Sequence, residues 1–371
     1  PGPAVARPLD SSSRSSEESS RCETAAVRAL VVDAAAPDDS LVGRAADLLR
    51  AGGLVAFPTE TVYGLGADAT SPNAVARIFE VKGRPASDPL IVHVATIAAA
   101  RQVAARWDER ADLLAARCWP GPLTLVVERA GNVADAVGGG RSTVAVRVPA
   151  HPVALALLEA ARVPIAAPSA NRFGRVSPTT AAHVLDELAD RLDPRTDAVL
   201  DGGPAIVGVE STVVDLTGPT AVVLRPGGVS VDVLASAIGP VEVPERLVVS
   251  SAGPAPAPGT YLRHYSPRTP VVFVDAGPDT VGALVRTLER SGVAAASLDL
   301  PASLDRAAAA LYDTLRLAEG SAAVLLARAV EPSGVGLAIN DRLFRAANGV
   351  VVTDASPASV ERIVEHAARE S

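Results

Sequence analysis

The nine residues Ser251-Ala-Gly-Pro-Ala-Pro-Ala-Pro-Gly259 hold three prolines and two glycines. Each proline lacks a backbone donor and pushes its predecessor out of the helical region, so no helix or central strand runs through the stretch. The surrounding residues 240–269 are rich in Pro, Ala, Gly and Ser. A chain of 371 residues is thereby expected to fold as two units, 26–240 and 270–371, joined by a linker at 241–269.

The two units differ in pattern. In the first, a helix is expected from about Ser40, then a buried strand at Leu54–Phe57. Further strands are expected at Leu90–Val94, Leu123–Glu128, Thr143–Val148, Ile165–Ala167, Thr212–Leu216 and Ala221–Leu224. Helical spacing covers 73–82, 96–106, 108–117, 151–162 and 178–192. The last two strands meet through a turn rather than a helix, which predicts a mixed sheet in an α+β arrangement. In the second unit, strands Val271–Val274, Ala294–Leu298 and Ala323–Leu326 alternate with helices 278–291, 303–317 and 357–369, as a small parallel α/β sheet requires. Residues 1–25, dense in Ser, Glu, Arg and Pro, cannot bury a core and are expected to be a disordered tail.

Composition narrows the function. A net charge of −8 argues against general adhesion to nucleic acid, and 3% aromatic residues leave little for base stacking. Two cysteines, one of them in the tail, make neither a disulfide framework nor a metal site. No apolar run is long enough to span a membrane. The expected setting is the reducing cytoplasm, with no membrane partner.

Lys82 is the only lysine, against 33 arginines. Where any cation would serve, this sequence uses arginine; a retained ammonium points to a task for a compact, rotatable charge. Lys82 ends the helical stretch 73–82, with Asn73 as its N-cap and Gly83 as its C′ residue, on the stripe shared by Val75, Ile78 and Phe79. Lysine there also suits the helix dipole, but so would arginine. Arg84 follows two residues on, next to Pro85.

Other segments carry polar groups at the ends of apolar elements. Pro58-Thr-Glu-Thr-Val-Tyr-Gly-Leu-Gly66 is rich in hydroxyls and glycines, which lets backbone approach a ligand. His93 alternates against Leu90, Val92 and Val94, and so faces the other side of its strand. Arg147 closes Thr143–Val148, where an arginine needs an anionic partner. Pro168-Ser-Ala-Asn171 ends another strand; Ser177 and Pro178 read as N-cap and N1 of a helix beside it. Ser211 opens a strand and Arg225 closes one. There is no phosphate-binding Gly-x-x-x-x-Gly-Lys loop, no Gly-x-Ser-x-Gly elbow and no metal cluster. One lysine and three arginines among hydroxyls and an amide describe a polyanion pocket without a nucleophile, suited to phosphoryl or nucleotidyl transfer by positioning and charge neutralisation.

Six segments in order, Pro-Thr-Glu-Thr-Val-Tyr-Gly-Leu-Gly, Lys-Gly-Arg-Pro, Asp-Pro-Leu-Ile-Val-His, Trp-Pro-Gly-Pro-Leu-Thr, Pro-Ser-Ala-Asn and Glu-Ser-Thr-Val, resemble the YrdC-like domain of threonylcarbamoyl-AMP synthases over about 28–240. Pro258–Pro267 resembles the linker of the two-domain form; 270–371 matches in length and pattern only. The resemblance implies a mixed-sheet α/β fold with a large basic concave surface and a Rossmann-like second domain. It implies a reaction of L-threonine, bicarbonate (or CO2) and ATP to threonylcarbamoyl-AMP and pyrophosphate, with Mg2+ accompanying ATP. The product would pass to a tRNA threonylcarbamoyl transferase complex, with weak tRNA contact. Lys82 and Arg84 would be catalytic. Thr61, His93, Arg147 and Ser211 would contact threonine. Lys82, Arg84, Asp88, Thr143, Ser169, Asn171, Thr179, Arg225 and, from the linker, Tyr265 would contact ATP or order its site. The family often has Asn where Asp88 stands; a carboxylate there would need Arg84 or Mg2+ as partner. The competing reading is a non-catalytic YrdC-like protein that holds RNA or nucleotide, for which a carboxylate clamp at Arg147 would have no use.

Overall fold

The computed structural model describes residue 2, residues 27–244, residues 255, 257, 259, 261 and 262, and residues 264–370. The expected tail, Gly2 excepted, and much of the Pro-rich stretch lie outside the described residues.

Among the described residues the first unit is built on one eleven-stranded mixed sheet. Its strands are β1 (Ala29–Val31), β2 (Val55–Phe57), β3 (Gly64–Asp68), β4 (Ile91–His93), β5 (Leu123–Glu128), β6 (Thr143–Arg147), β7 (Ile165–Ala166), β8 (Ala198–Asp201), β9 (Thr212–Asp215), β10 (Ala221–Arg225) and β11 (Val241–Glu242). They lie in the order β1-β8-β2-β3-β7-β4-β6-β5-β9-β10-β11. β4 runs parallel to β6 and β5 to β9, whereas β5 and β6, like β9 and β10, are antiparallel. The second unit has β12 (Val271–Val274), β13 (Ala295–Leu298), β14 (Val324–Arg328) and β15 (Val351–Val352), all parallel, in the order β13-β14-β12-β15. The mixed sheet and the small parallel sheet are both as the periodicity predicts. β11 falls on the first two residues of the expected linker.

One face of the large sheet packs Val92, Leu125, Val127, Val144, Val146 and Val214 against the helix Pro72–Lys82 and its neighbours. The opposite face carries Ile91, Val126, Ala145, Val213 and Leu224, and Ala257 of the linker covers it. Strand alternation puts His93 beside Ile91 and Arg147 beside Ala145 on this covered face. The two units share a core: Val62, Val176 and Val209 of the first pack with Tyr265, Leu311, Tyr312 and Leu343 in one buried cluster. Each such side chain stabilises the arrangement by about 1.5–3 kcal/mol. No helix among the described residues is long and apolar enough to cross a membrane.

Three local readings change. The helix at 72–82 is capped by Ser71, whose side chain accepts from the Ala74 amide, with Pro72 in the first turn, so Asn73 is already helical. Gly83 ends it with φ of 63°, as expected. Ser177 is not an N-cap: its hydroxyl donates to Glu210, and Thr180 caps the helix Ala181–Leu188 instead. The glycines of the Pro58–Gly66 segment lie in β3 rather than in a loop, and Gly64 lines the cavity described below. A Cβ at Gly66 would fall 2.7 Å from Ile165 Cγ2 and 2.8 Å from Phe57 Cε1, so this glycine is required by strand packing.

Candidate active site

A turn built on Thr59 opens the site. Its Oγ1 donates to the Val62 carbonyl at 2.6 Å and accepts from the amides of Thr61 and Val62 at 3.2 Å each. This hydroxyl-centred turn holds Glu60 and Thr61 toward the covered face. Arg147, at the end of β6, meets them there. It donates through Nη1 to Thr61 Oγ1 at 3.0 Å, through Nη2 to Glu60 Oε1 at 2.6 Å, and through Nε to the Gly121 carbonyl at 3.2 Å. Glu60 Oε2 accepts from the Ala150 amide at 2.9 Å. Burial opposes the Glu60 charge, but the Arg147 guanidinium outweighs it and holds the pKa below the usual carboxylate value. His93 pairs in register with Arg147 and stands edge-on to Phe57 at 5.9 Å. Burial, then the Arg147 charge, depress the imidazole to about 3, so it is neutral. Ser211 Oγ lies 2.8 Å from Thr124 Oγ1 and accepts from Arg225 Nη2 at 3.2 Å.

The other end of the site is formed by the segments that precede β4 and follow β7. Arg84 donates to the Asp88 and Pro89 carbonyls at 3.3 and 2.8 Å, and its Nη2 lies 2.9 Å from Asp88 Oδ1. Neither Asp88 oxygen accepts an aligned hydrogen bond among the described residues. Burial raises the Asp88 carboxyl to about 6 despite the cations beside it. The carboxylate thus has Arg84 as its partner, one of the two that the sequence requires for it. Lys82 is fully packed in. Its ammonium donates to the carbonyls of Ser169, at 2.6 Å, and Asn171. Burial, then Arg84, push its pKa well below the ordinary lysine value. Asn171 donates to the Arg172 and Arg175 carbonyls at 2.8 Å each.

Arg84, Arg147 and Arg225 line one cavity together with Thr61, His93, Ser169, Ser211 and Tyr265. Of the four cations expected to converge, the three arginines meet in this cavity, across a face of the sheet. Lys82 stands behind the wall and anchors the 169–171 loop instead of lining the cavity. Thr143 shares the face of Ala145 and Arg147 but sits four residues before Arg147, about 13 Å along the strand. Thr179 is not brought to the cavity. Its hydroxyl donates to Asp313 Oδ1 at 2.6 Å, on the helix Leu304–Leu317.

The concave surface is filled. Gly259, His264 and Tyr265 of the linker project into it and leave about 40 Å³. Tyr265, with φ of 62°, is wholly buried, and burial raises its phenol to about 12. Arg225 is fixed by a close approach. A Cβ on Gly227 would fall 2.3 Å from the Ser211 carbonyl carbon, so only glycine lets the turn after β10 lie on Glu210–Ser211. Sequence reading missed Glu210 and His264 as wall residues, and Glu60 as the partner of Arg147. Glu60 and Glu210 stand inside two of the six motifs, flanked by buried positions, and that was the available signal.

Comparison with known proteins identifies the family. The Sua5, YciO and YrdC family model, described as telomere recombination, matches residues 47–227, and the model for the threonylcarbamoyl-AMP synthase C-terminal domain matches 229–348. The threonylcarbamoyl-AMP synthase of Bacillus subtilis is 40% identical over 87% of this chain and 97% of its own length. That of Pyrococcus abyssi is 42% identical over 81% of this chain and 92% of its own. The crystal structure of Pyrococcus abyssi Sua5 complexed with L-threonine superposes with a TM-score of 0.82 at 39% identity, covering 87% of this chain and 99% of that one. With both domains matched and the relatives covered nearly end to end, this chain belongs to the two-domain threonylcarbamoyl-AMP synthase family.

Proposed function

We propose that the two ends of this cavity divide the family's reaction between them, making the chain a nucleotidyltransferase. The Arg147 end takes L-threonine. The guanidinium, held by Glu60 and Thr61, receives the carboxylate beside Ser211 and the neutral His93. The threonine amine captures CO2 from bicarbonate. The resulting carbamate oxygen attacks the α-phosphorus of ATP, and the bond to the β-phosphate oxygen breaks to release pyrophosphate.

The Arg84 end takes the triphosphate, with Arg225, Ser169, Asn171, Asp88 and Thr143 ordering the nucleotide around it. Lys82 holds the Ser169–Asn171 loop in place from behind the wall. Phosphate oxygens compete with Asp88 for Arg84, and a carboxyl poised near 6 gives up that cation readily. Mg2+ arrives on ATP as part of the substrate, liganded by phosphate oxygens and water. No side chain forms a covalent bond; the rate comes from proximity and preorganised charge. A nucleotide site needs about 300 Å³ or more, so ATP must displace Tyr265 and His264, which then close over it and keep water from the product. Downstream, the product is used by a tRNA-modifying transferase in the cytoplasm, with weak tRNA contact by this chain.

The supporting observation is that three buried guanidiniums line one cavity. The test is pyrophosphate release from ATP by purified protein in bicarbonate. Release should depend on L-threonine and be weak with serine or glycine; turnover indifferent to threonine overturns the reading.

A further inference from the structure

Glu210 lies between Val209, in the core shared by both units, and Ser211, in the cavity wall. Both its carboxylate oxygens are engaged. Oε1 accepts from Ser177 Oγ at 2.7 Å and from the Tyr312 hydroxyl at 2.9 Å; Oε2 accepts from Tyr312 at 2.7 Å and from Arg342 Nε at 2.9 Å. Ser177 belongs to the first unit, whereas Tyr312 and Arg342 come from the helices Leu304–Leu317 and Gly336–Ala346 of the second. Arg342 is 0% exposed, and its Nη1 donates to Asp341 at 2.7 Å. Burial opposes the Glu210 charge, but Arg342 and then Arg225 outweigh it and bring the pKa to about 2.

The same two side chains hold the linker aromatic. Tyr265 stacks on Tyr312 with ring centroids 5.7 Å apart and planes at 25°, and the Arg342 guanidinium carbon lies 5.3 Å from the Tyr265 centroid. Residues that merely joined two domains could sit anywhere along the interface, as the partly exposed Arg175–Glu319 pair at 3.0 Å does. Arg342 and Tyr312 instead grip the residue preceding Ser211 and a ring that fills the cavity.

We propose that Arg342 and Tyr312 of the second domain are positioning residues for the reaction, acting through Glu210 to place the Ser211 hydroxyl at the threonine end. The inference rests on Ser211 contacting threonine. A small displacement of such a group is enough to lose rate, since productive geometry tolerates little error.

The test uses the full chain and steady-state pyrophosphate release. Tyr312→Phe keeps the ring stack and removes only the hydroxyl that reaches Glu210. It is expected to raise KM for L-threonine about fivefold and leave KM for ATP within about twofold. Arg342→Lys is expected to raise KM for threonine more strongly; because Arg342 also lies over the Tyr265 ring, only its effect on threonine bears on the inference. Ser211→Ala alone should raise KM for threonine, and combining it with Tyr312→Phe should add little, because both changes act on one hydroxyl. Glu319→Gln, which loosens the interface elsewhere, should leave both KM values unchanged. Two results overturn the inference while sparing the Ser211 reading: Tyr312→Phe leaving KM for threonine unchanged, or lowering activity toward both substrates only in step with the folded fraction. If Ser211→Ala has no effect on threonine, the reading fails and the inference with it. Should Arg342→Lys not fold, Tyr312→Phe decides the matter alone.

Discussion

Arg84 and Arg147 line one cavity from opposite ends, each against a buried carboxylate, yet the two pairs are built differently. At the Arg147 end, Glu60 accepts from Arg147 and from a backbone amide, and its pKa lies below the ordinary value. At the Arg84 end, Asp88 has an ion pair but no aligned hydrogen bond among the described residues, and its pKa is raised to about 6. Each carboxylate has a guanidinium charge beside it, but of the two only Glu60 adds hydrogen bonds to its charged form, from Arg147 and the Ala150 amide. A carboxylate so bonded keeps its arginine as fixed scaffold; one without such bonds can yield its arginine to a ligand.

The sharpest way to break this contrast is Arg147→Lys, which keeps the charge and loses the fork. The expected result is a fall of about a hundredfold in kcat/KM for threonine, with KM for ATP nearly unchanged, measured by pyrophosphate release. Equal damage to both substrates would mean that the ends are not separate. Next in size is stability. Glu60→Gln should cost about 3 kcal/mol in urea unfolding, since it removes a buried charge that accepts from both Arg147 and a backbone amide, whereas Asp88→Asn, at a carboxylate that accepts no aligned hydrogen bond among the described residues, should stay within about 1 kcal/mol. If the two variants lose the same amount, Asp88 holds its arginine as firmly as Glu60 does.

The smallest effect is a slope. Between the ordinary value of 3.8 and about 6, the folded chain binds more protons at Asp88 than the unfolded chain does. The Asp88 contribution to stability therefore grows as pH falls from 7 toward 4, opposite in sign to Glu60. The difference in unfolding free energy between the natural chain and Asp88→Asn, followed over that range, should change in this direction; a flat difference means that Asp88 titrates normally.

Much of this was legible from the residues. Helix Pro72–Lys82 announces itself by its apolar stripe and by Gly83, and β5 and β12 match the apolar runs residue for residue. The arginines at 147 and 225 stand out because an apolar strand has no other use for them. β3 was hidden because its glycines lower strand propensity, and their reason, the approach of Ile165 and Phe57, comes from elsewhere in the chain. β8, the helix Gly336–Ala346 and the Glu210–Arg342 pair were likewise out of reach. Partners 132 residues apart leave no periodicity to read. Thr179 shows the limit of carrying a role over from a motif: its local sequence fits, but the second domain engages its hydroxyl.

The linker residues lodged among the cations give nucleotide binding an internal rival. On the proposed function, ATP affinity is a net quantity, the intrinsic attraction less the work of evicting Tyr265 and His264. An empty molecule offers cellular polyanions no open cationic trap, and only a ligand that repays the eviction gains entry. On that reading, selectivity against pyrophosphate and stray phosphates would begin before any of them touches an arginine.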